Sequence, residues 1–469
     1  MDTIWVPTLD PQVKPKYRAV VQAVRDGIAS GDLGEGDKLP PVRELGWRLE
    51  MTPGTVARAF TILTDEGVLR AEVGRGTFVA SPKVEPPLNL SEMDVVPHKT
   101  GGDMFDVNLF SPHLPNGGQS QLIRSLLAQV AADPPSGMMH YPSRRGATAA
   151  RAAMCHWLRD TLIGPLDESD IVLSHGGQNA IMLVMQAVLR GRRPVVFVEE
   201  LCYPGFRRVA DALRAEVVPV AMDAHGICPD ALAAAAERHP EGQIICTSAE
   251  VHSPTCGFTP LERRQEIVEV ARRFDLQILE DDCYRLGAAQ APGYRQLAPE
   301  RGWYITSLSK SITPALRLGC AIGPRAHTAE LHRAAEHGFF GLATPITDLA
   351  AALLVHPQLD AIMARTRSEV GDYVKAAVNA LGAYDLHWRE DVPLLWLNLP
   401  QGWRANAFCR AAEARGVRVR AAEEFAARQA QSPHAVRMAI NAGVSLRSFE
   451  AAMARLRDLL DNPTEEIGV

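Results

Sequence analysis

The sequence predicts an α/β protein: a mostly parallel β-sheet with flanking helices, preceded by a small helical module. Six short apolar runs lie between positions 171 and 322, and helix-length segments separate many of them, as buried strands of a parallel sheet require. Before position 80, three patterns of helical spacing precede two strand-type runs. A chain of 469 residues is long enough for two to four domains.

The composition argues against several classes of protein. The hydrophobic fraction of 46% is ordinary for a globular chain, no apolar run reaches transmembrane length, and the N-terminus has no signal-peptide pattern. Eight cysteines without a CxxC pair argue against a zinc site and against a disulfide framework. We therefore expect a cytoplasmic protein in a reducing setting, with no metal site.

Residues 11–80 are predicted to form a separate small domain. A first helix follows Pro15 and ends at Gly31, and a second, short helix begins after a pair of prolines. Thr52 is the expected N-cap of a third helix, because the proline after it suits the first helical position. Two strand-type runs follow, joined by a Gly-Arg-Gly hairpin signal. Three helices and a β-hairpin make a winged helix-turn-helix.

Three motifs of this module resemble the GntR family of bacterial transcription regulators. They are Leu39-Pro-Pro-Val-Arg-Glu-Leu45, Thr52-Pro-Gly-Thr-Val-Ala-Arg-Ala-Phe60 and Gly74-Arg-Gly-Thr-Phe-Val79. The resemblance implies a domain that binds operator DNA through Arg43, Thr52, Thr55, Arg58, Arg75 and Gly76. Residues 1–80 carry ten basic and eleven acidic side chains, so binding needs clustered arginines and a dimer rather than bulk charge. A winged helix used only for protein contacts is the alternative.

The module is followed by a predicted linker and a large domain. Residues 81–104 contain four prolines and little periodicity, which indicates an extended connector. Residues 105–469 carry the alternating strand and helix patterns. In sheets of this kind, ligands bind at the carboxyl ends of the strands.

One lysine of the large domain is unusual in its setting. The chain has 49 lysines and arginines but only seven lysines, and Lys310 is the single lysine between positions 100 and 374. Arginine cannot lose its proton, whereas a lysine that forms a Schiff base must. Ser307, Ser309 and Arg317, close by in sequence, are groups that a buried phosphate would need. The alternative is a chance surface lysine.

The segment Trp303–Gly319 around this lysine resembles the fold-type I pyridoxal-phosphate (PLP) enzymes, the aspartate-aminotransferase-like group. The resemblance implies a fold-type I domain with a small C-terminal α+β part. It also implies that Lys310 forms a Schiff base with PLP, while Ser307, Ser309 and Arg317 hold the cofactor phosphate.

Two further segments resemble parts of the same cofactor site. Gly176, Gly177 and Gln178 begin a predicted helix after a strand, where backbone N–H groups can approach a phosphate, although an ordinary tight turn is equally compatible. The resemblance implies that they form the phosphate cup. Tyr203 follows the next strand, and by the resemblance it stacks on the pyridine ring; a packed loop tyrosine is the alternative.

The acidic segment Glu280-Asp-Asp-Cys-Tyr284 ends a predicted strand. A carboxylate paired with the pyridinium nitrogen keeps the PLP ring an electron sink. Asp-x-x-Tyr is the spacing of the resembling enzymes, which implies that Asp281 contacts the nitrogen and Tyr284 the phenolic oxygen. Asp282 is the second candidate for the nitrogen, and an acidic loop without a ligand is the alternative.

The remaining site predictions also come from this resemblance. Ser253 stands where the family has an asparagine that contacts the phenolic oxygen, and Cys256 stands where glycine is common. Tyr141 matches the tyrosine that reaches the partner subunit's phosphate in a homodimer. Arg437 matches the arginine that binds a substrate carboxylate, with a surface arginine as the alternative.

The order of the parts resembles the MocR subfamily of GntR-type regulators. That resemblance implies a dimeric transcription regulator that is not an enzyme and that carries PLP on Lys310. An amino compound would displace the lysine as an external aldimine and so change the affinity for operator DNA. γ-Amino acids, taurine, ectoine derivatives, D-alanine and PLP itself are compatible effectors. The alternatives are a genuine aminotransferase with an accessory DNA-binding head and a vestigial PLP fold kept for dimerisation.

Overall fold

The computed structural model describes residues 5–9, 14–34, 36–65, 68–72, 76–80, 107–427 and 430–462. The chain divides into two compact units, Met1–Asp94 and Val95–Val469. The predicted linker, 81–104, lies outside the described residues, as does Arg75. Among the helices of the described ranges, none is both long and apolar enough to cross a membrane.

The first unit has three helices and a hairpin, as the sequence predicts. Its elements are α1 (Lys16–Ser30), α2 (Val42–Arg48), α3 (Pro53–Asp65), β1 (Leu69–Glu72) and β2 (Gly76–Val79).

Local chemistry determines how these elements end and pack. Gly31 closes α1 in the left-handed conformation, at φ 84°. The turn between α2 and α3 is tight, since a Cβ on Gly46 would lie 3.1 Å from the carbonyl oxygen of Met51. The hairpin is antiparallel, with Leu69 opposite Val79. Apolar faces of all three helices and of the hairpin meet in one core, which includes Val20, Val24, Leu45, Val56, Leu63 and Leu69.

The second unit contains the remaining strands and helices. Its strands are β3 (Val107–Asn108), β4 (Ile171–Ser174), β5 (Val195–Glu199), β6 (Glu216–Val220), β7 (Met222–Asp223), β8 (Gly226–Ile227), β9 (Gly242–Thr247), β10 (Gln277–Asp281), β11 (Gly302–Ser307), β12 (Gly319–Ile322), β13 (Leu386–Trp388), β14 (Leu394–Asn398), β15 (Val417–Arg418), β16 (Arg420–Ala421) and β17 (Ala435–Ala439). Its helices are α4 (Gln119–Ala132), α5 (Thr148–Trp157), α6 (Gly177–Val188), α7 (Pro204–Ala212), α8 (Pro229–Arg238), α9 (Leu261–Arg273), α10 (Tyr294–Leu297), α11 (Thr328–Phe339), α12 (Thr344–Leu354), α13 (Leu359–Leu381), α14 (Ala405–Ala414) and α15 (Leu446–Asp461).

The central sheet has seven strands in the order β4-β12-β11-β10-β9-β5-β6. Strand β12 is antiparallel to both of its neighbours, and the other pairs are parallel. Every residue of β4, β5, β11 and β12 is buried, because helices cover both faces of the sheet. The prediction of a mostly parallel sheet, with all six of its apolar strands, is confirmed. The edge strand β6 was not predicted.

The C-terminal part is a smaller α+β layer, as expected. Its four-stranded antiparallel sheet has the order β13-β14-β17-β16. Helices α13, α14 and α15 pack against it around a core that includes Phe408, Phe449 and Trp403. The short β3 pairs in parallel with β15, which brings the segment after residue 107 beside this layer.

Candidate functional site

The predicted site residues of the large unit meet where several strands of the central sheet end. Strand β4 leads into Gly176, β10 ends at Asp281 and β11 ends at Ser307. Lys310 lies three residues beyond β11 and is half-buried. Its Nζ lies 5.9 Å from the ring centroid of Tyr284. Because β4, β10 and β11 run in the same direction, residues from distant parts of the sequence meet at one edge of the sheet, near the segment that carries Lys310.

Four residues form a small concave group, which we call the anion cup: Gly176, Ser307, Ser309 and Arg317. The Ser307 hydroxyl donates to Ser309 Oγ at 3.0 Å, and Arg317 Nη1 donates to the same oxygen at 3.2 Å. A Cβ on Gly176 would lie 3.1 Å from Arg317 Nη2 and 3.6 Å from Ser307 Oγ. Gly176 therefore leaves space that a side chain would fill, in front of a guanidinium and two hydroxyls.

Helix α6 begins at the anion cup. Its first residue is Gly177, so its unpaired N–H groups and the positive end of its dipole lie at the cup. A Cβ on Gly177 would come within 2.7 Å of Cys283 Sγ, so the start of the helix packs closely on the loop after β10. Burial and the nearby Arg317 lower the pKa of His175, which is consistent with a positive potential at the cup. This arrangement favours a bound anion.

Asp281, the last residue of β10, and Asp282, which follows it, lie on opposite faces of the sheet. Asp281 is in register with Ile305, so its side chain shares the face of Ser307, two residues further along β11. Asp282 Oδ2 instead accepts a 2.7 Å hydrogen bond from the Tyr304 hydroxyl on the other face. It also accepts one of 2.7 Å from Arg285 Nε. Burial raises the pKa of Asp282, and the Arg285 charge opposes that rise.

Tyr203 and Gln178 are held together. The Tyr203 hydroxyl donates to Gln178 Oε1 at 3.0 Å, and Gln178 Nε2 donates to the carbonyl oxygen of Gly205 at 3.2 Å. The Tyr203 ring also makes an edge-to-face contact with Phe206, at 6.1 Å between centroids. These bonds join the first turns of α6 and α7, and they hold the Tyr203 ring beside the start of α6.

The loop after β9 contains two departures from the family pattern. Ser253 is buried, and its Oγ has no hydrogen-bond partner in the part of the chain that the structure describes. Cys256 adopts φ 62°, a left-handed conformation that usually falls to glycine. Burial raises the pKa of the Cys256 thiol to about 12, so this cysteine stays protonated and unreactive.

The neighbouring His252 fixes this loop against the end of β5. Its Nε2 lies 3.3 Å from Glu199 Oε2 and 3.0 Å from the carbonyl oxygen of Leu201. Glu199 Oε1 accepts a 2.6 Å hydrogen bond from the Thr247 hydroxyl. The position of Ser253 is therefore supported by buried polar contacts on its N-terminal side.

Arg437 lies in β17, an inner strand of the C-terminal sheet, and is fully buried, so the surface alternative is wrong. Its Nη2 donates to the carbonyl oxygen of Phe110, and its Cζ lies 4.7 Å from the Phe425 ring centroid. Nε and Nη1 have no hydrogen-bond partner within the described ranges. A buried guanidinium with unused donors is costly unless a ligand or water completes it.

Tyr141 lies apart from this cluster. It is 92% exposed, and Met139 beside it is 91% exposed. No recorded contact among the described residues joins Tyr141 to the residues around Lys310. Met138 and Phe340 are further large apolar side chains that stand exposed.

The sequence analysis did not single out His113, which is hydrogen-bonded to the chain just after β17. Its backbone N–H donates to Ile440 and its carbonyl accepts from Ala442, each at 2.9 Å. Partial burial and the Lys310 charge lower its pKa. A lone histidine in a proline-bracketed loop has no periodicity and no spacing rule, so no sequence signal singles it out.

The predicted DNA-contacting residues lie on the first unit. Arg43 is exposed on α2, and Thr52 and Thr55 stand at the start of α3 with their hydroxyls 3.0 Å apart. Arg58 on α3 packs its Cζ 4.4 Å from the Tyr17 ring centroid. Gly76 begins β2 at φ 125°, which favours glycine. Trp47, 82% exposed, borders the same surface as Thr52 and was not predicted.

In the described ranges, no group of three or more His, Cys, Asp or Glu side chains is arranged to hold a metal ion. The eight cysteines are all free thiols.

Comparisons with known proteins agree with this architecture. The family model for aminotransferase class I and II matches residues 107–456, and the model for bacterial regulatory proteins of the gntR family matches residues 16–79. The archaeal alanine:glyoxylate aminotransferase structure has a TM-score of 0.69 at 19% identity, covering 77% of this chain and 92% of its own. At that identity the likeness concerns the fold alone.

Two relatives carry names of regulators. The uncharacterized HTH-type transcriptional regulator YdeF of Bacillus subtilis is 27% identical over 98% of this chain and 97% of its own length. The HTH-type pyridoxine biosynthesis transcriptional regulator PdxR of Corynebacterium glutamicum is 27% identical over 65% of each chain. The chain belongs to the aminotransferase class I and II family and, with its GntR-type helix-turn-helix domain at the N-terminus, has the architecture of the MocR regulators.

Proposed function

We propose that this GntR-type regulator holds PLP on Lys310, binds an amino compound there, and changes its affinity for operator DNA in response. The observation that carries this proposal is the convergence of Lys310, Asp281 and the anion cup in a chain that also has a DNA-binding head. Neither half alone would suggest such a sensor.

The residues present fit PLP. The anion cup and the start of α6 suit the cofactor phosphate, since they combine a guanidinium, two hydroxyls and helix N–H groups. The unpartnered, buried Ser253 Oγ suits a polar atom of the ring, and we assign it to the phenolic oxygen together with Tyr284. When bound, PLP supplies a carbonyl carbon that Lys310 holds as a Schiff base, beside an electron-withdrawing ring.

Two further residues would hold the ring. Asp281 lies on the same face of the sheet as Ser307, so we assign it to the pyridinium nitrogen. Asp282 is engaged on the opposite face by Tyr304 and Arg285, which argues against it for that role. Tyr203, held by Gln178, would stack on the ring.

The effector we propose is an amine that also carries a carboxylate or a similar anion. Arg437 has two unused donors in a buried setting, and a planar anion satisfies such donors. The amine end would then compete with Lys310 for the cofactor carbon. Signalling follows only if the effector binds the two states of the protein with different affinity.

We further propose that the regulator is a homodimer. Met138, Met139, Tyr141 and Phe340 are exposed, and large apolar side chains of this kind suit burial against a second copy. Tyr141 would reach the partner's phosphate site. Two heads double the DNA contacts of Arg43, Thr52, Thr55, Arg58, Arg75 and Gly76, which a head without excess positive charge needs.

The second candidate is an aminotransferase with an accessory head. The presence of Lys310, with the Tyr284 ring close to its amine, favours this function. Transamination requires a lysine that forms a Schiff base, as the proposed sensor does. Repeated transfer of an amino group to a keto acid, measured without DNA, separates the two functions. We expect at most a single half-reaction per subunit.

Absorbance spectroscopy tests the cofactor step. Purified full-length chain, incubated with PLP and freed of excess, should show a visible band that Lys310→Ala lacks or alters. A panel of γ-aminobutyrate, taurine, D-alanine and butylamine should then identify amines that shift the band. A wild-type protein that stays colourless after added PLP would contradict the proposal.

A further inference from the structure

A second buried arginine lies directly opposite Arg437 on the neighbouring strand. Strand β16 pairs antiparallel with β17, and the register places Arg420 against Arg437. Residues directly opposite each other in an antiparallel pair project from the same face of the sheet. Arg420 is 3% exposed and Arg437 is fully buried. One face of the C-terminal sheet therefore carries two neighbouring buried guanidinium side chains, of which the sequence analysis singled out only Arg437.

Both arginines contact Phe110, in the segment that follows β3. Arg437 Nη2 donates to the Phe110 carbonyl oxygen, and Arg420 Cζ lies 5.1 Å from the centroid of the Phe110 ring. The Phe425 ring packs on Arg437 as well, with its centroid 4.7 Å from Cζ. Phe110 thus holds the two guanidinium groups at one place, the first through its backbone and the second through its ring.

Two like charges directly opposite each other destabilise a sheet unless an anion lies with them. Glu424 supplies part of that compensation, because its Oε2 accepts a 3.2 Å hydrogen bond from Arg420 Nη1. The Glu424 side chain is 42% exposed, so it can turn into solvent without burying its own charge. Arg437 Nε and Nη1 have no hydrogen-bond partner among the residues that the structure describes. An anion bound between the two arginines would use these donors and reduce the repulsion.

We propose that Arg420 is a second acid-binding residue of the effector site, and that the effector's acid replaces Glu424 as its partner. This inference rests on the proposed function, since it concerns the acid group of the same effector. The ligand it requires is an oxyacid, held between two guanidinium groups rather than by Arg437 alone. Glu424 then competes with the effector for Arg420.

Butyrate tests the acid site apart from the cofactor, because it has an acid group and no amine. The cofactor-free full-length chain is titrated with butyrate, and the affinity is taken from the rise of the thermal midpoint with concentration. Arg420→Met should weaken butyrate binding by roughly 30-fold, the effect of losing a hydrogen bond between charged groups. Glu424→Gln should strengthen it by about 2- to 5-fold, since a partly exposed ion pair no longer competes.

Arg418→Met is the matched control. Arg418 lies on the neighbouring β15 and forms a 3.3 Å ion pair with Glu413, and its loss should leave butyrate binding unchanged. Glu424→Gln alters an exposed side chain, so it tests the proposal even if Arg420→Met does not fold. In the PLP-loaded chain, the affinity for γ-aminobutyrate should follow the same order across the variants, and that for butylamine should not vary.

The opposite signs of the two variants separate a binding role from a structural one. Weaker butyrate binding in both Arg420→Met and Glu424→Gln would make their ion pair structural and overturn the inference. Unchanged binding in both variants, or no butyrate binding by wild type, would also overturn it. If the expected pattern appeared in a chain that shows no visible band with PLP, the acid site would stand and the proposed cofactor function would fall.

Discussion

Individual buried charges differ in whether the protein itself neutralises them. Arg285 and Asp282 neutralise each other at 2.7 Å, and Arg264 and Glu250 do the same at 2.8 Å. Arg437 is buried as deeply, yet among the described residues its guanidinium donates only to a backbone carbonyl. Paired groups support the fold, whereas a guanidinium left with unused donors is available to a ligand.

Asparagine substitutions at the two aspartates should separate these roles. Asp281→Asn should weaken PLP binding by roughly 30-fold, since a charged hydrogen bond contributes about 2 kcal/mol, and should leave the thermal midpoint nearly unchanged. Asp282→Asn should do the reverse, because breaking a buried ion pair costs about 3 kcal/mol. PLP titration and thermal unfolding measure both. Loss of PLP affinity in Asp282→Asn alone would reverse our assignment.

Replacing Arg437 by methionine should affect only effectors that carry an acid. We expect roughly 100-fold weaker binding of γ-aminobutyrate or of whichever acid-bearing amine shifts the band, since losing one partner of a buried charge pair costs about 2–5 kcal/mol. Butylamine, which has no acid group, serves as the internal control and should bind as before. Stability should hold or rise, because a buried unpaired cation is removed. Equal weakening for both amines would contradict the assignment.

At the scale of elements, the sequence predicted the strands and helices that have a regular apolar pattern or a motif. Strands buried on both faces are continuous apolar runs, so six of the seven central strands could be predicted. Strand β6 was missed because Pro219 interrupts its run, and an edge strand tolerates proline. Which of Asp281 and Asp282 shares the face of Ser307 follows from strand register, which single-sequence patterns do not give.

The start of α6 gives a prediction at the scale of an element. Gly176→Ala and Gly191→Ala both force alanine to a positive φ, 80° and 85°, at a cost of about 1–3 kcal/mol each. Only the first would also place a Cβ in the anion cup, whereas nothing lies within 4 Å at Gly191. PLP affinity should fall at least tenfold in Gly176→Ala and stay unchanged in Gly191→Ala. Equal losses would mean that α6 does not hold the phosphate.

At the scale of the whole molecule, dimer formation should link the large unit to DNA binding. Met139→Asp places a charge in the exposed apolar patch and should shift the protein toward monomer in analytical ultracentrifugation. DNA affinity should fall with it, because a single head carries ten basic against eleven acidic side chains over residues 1–80. Asp230→Asn on the exposed start of α8 is a control for surface charge. If Met139→Asp remained a dimer, the exposed apolar patch around Met139 would be excluded as the dimer interface.

The central claim is that chemistry at Lys310 controls DNA affinity. The most direct measurement is fluorescence polarisation of a labelled duplex, enriched from a random library by the full-length PLP-loaded chain, with and without the amine that shifts the visible band. Wild type should change its affinity by roughly 5- to 150-fold, as a coupling of 1–3 kcal/mol gives, while Lys310→Ala binds DNA without responding. An equal response in Lys310→Ala, or none in wild type, would contradict the account.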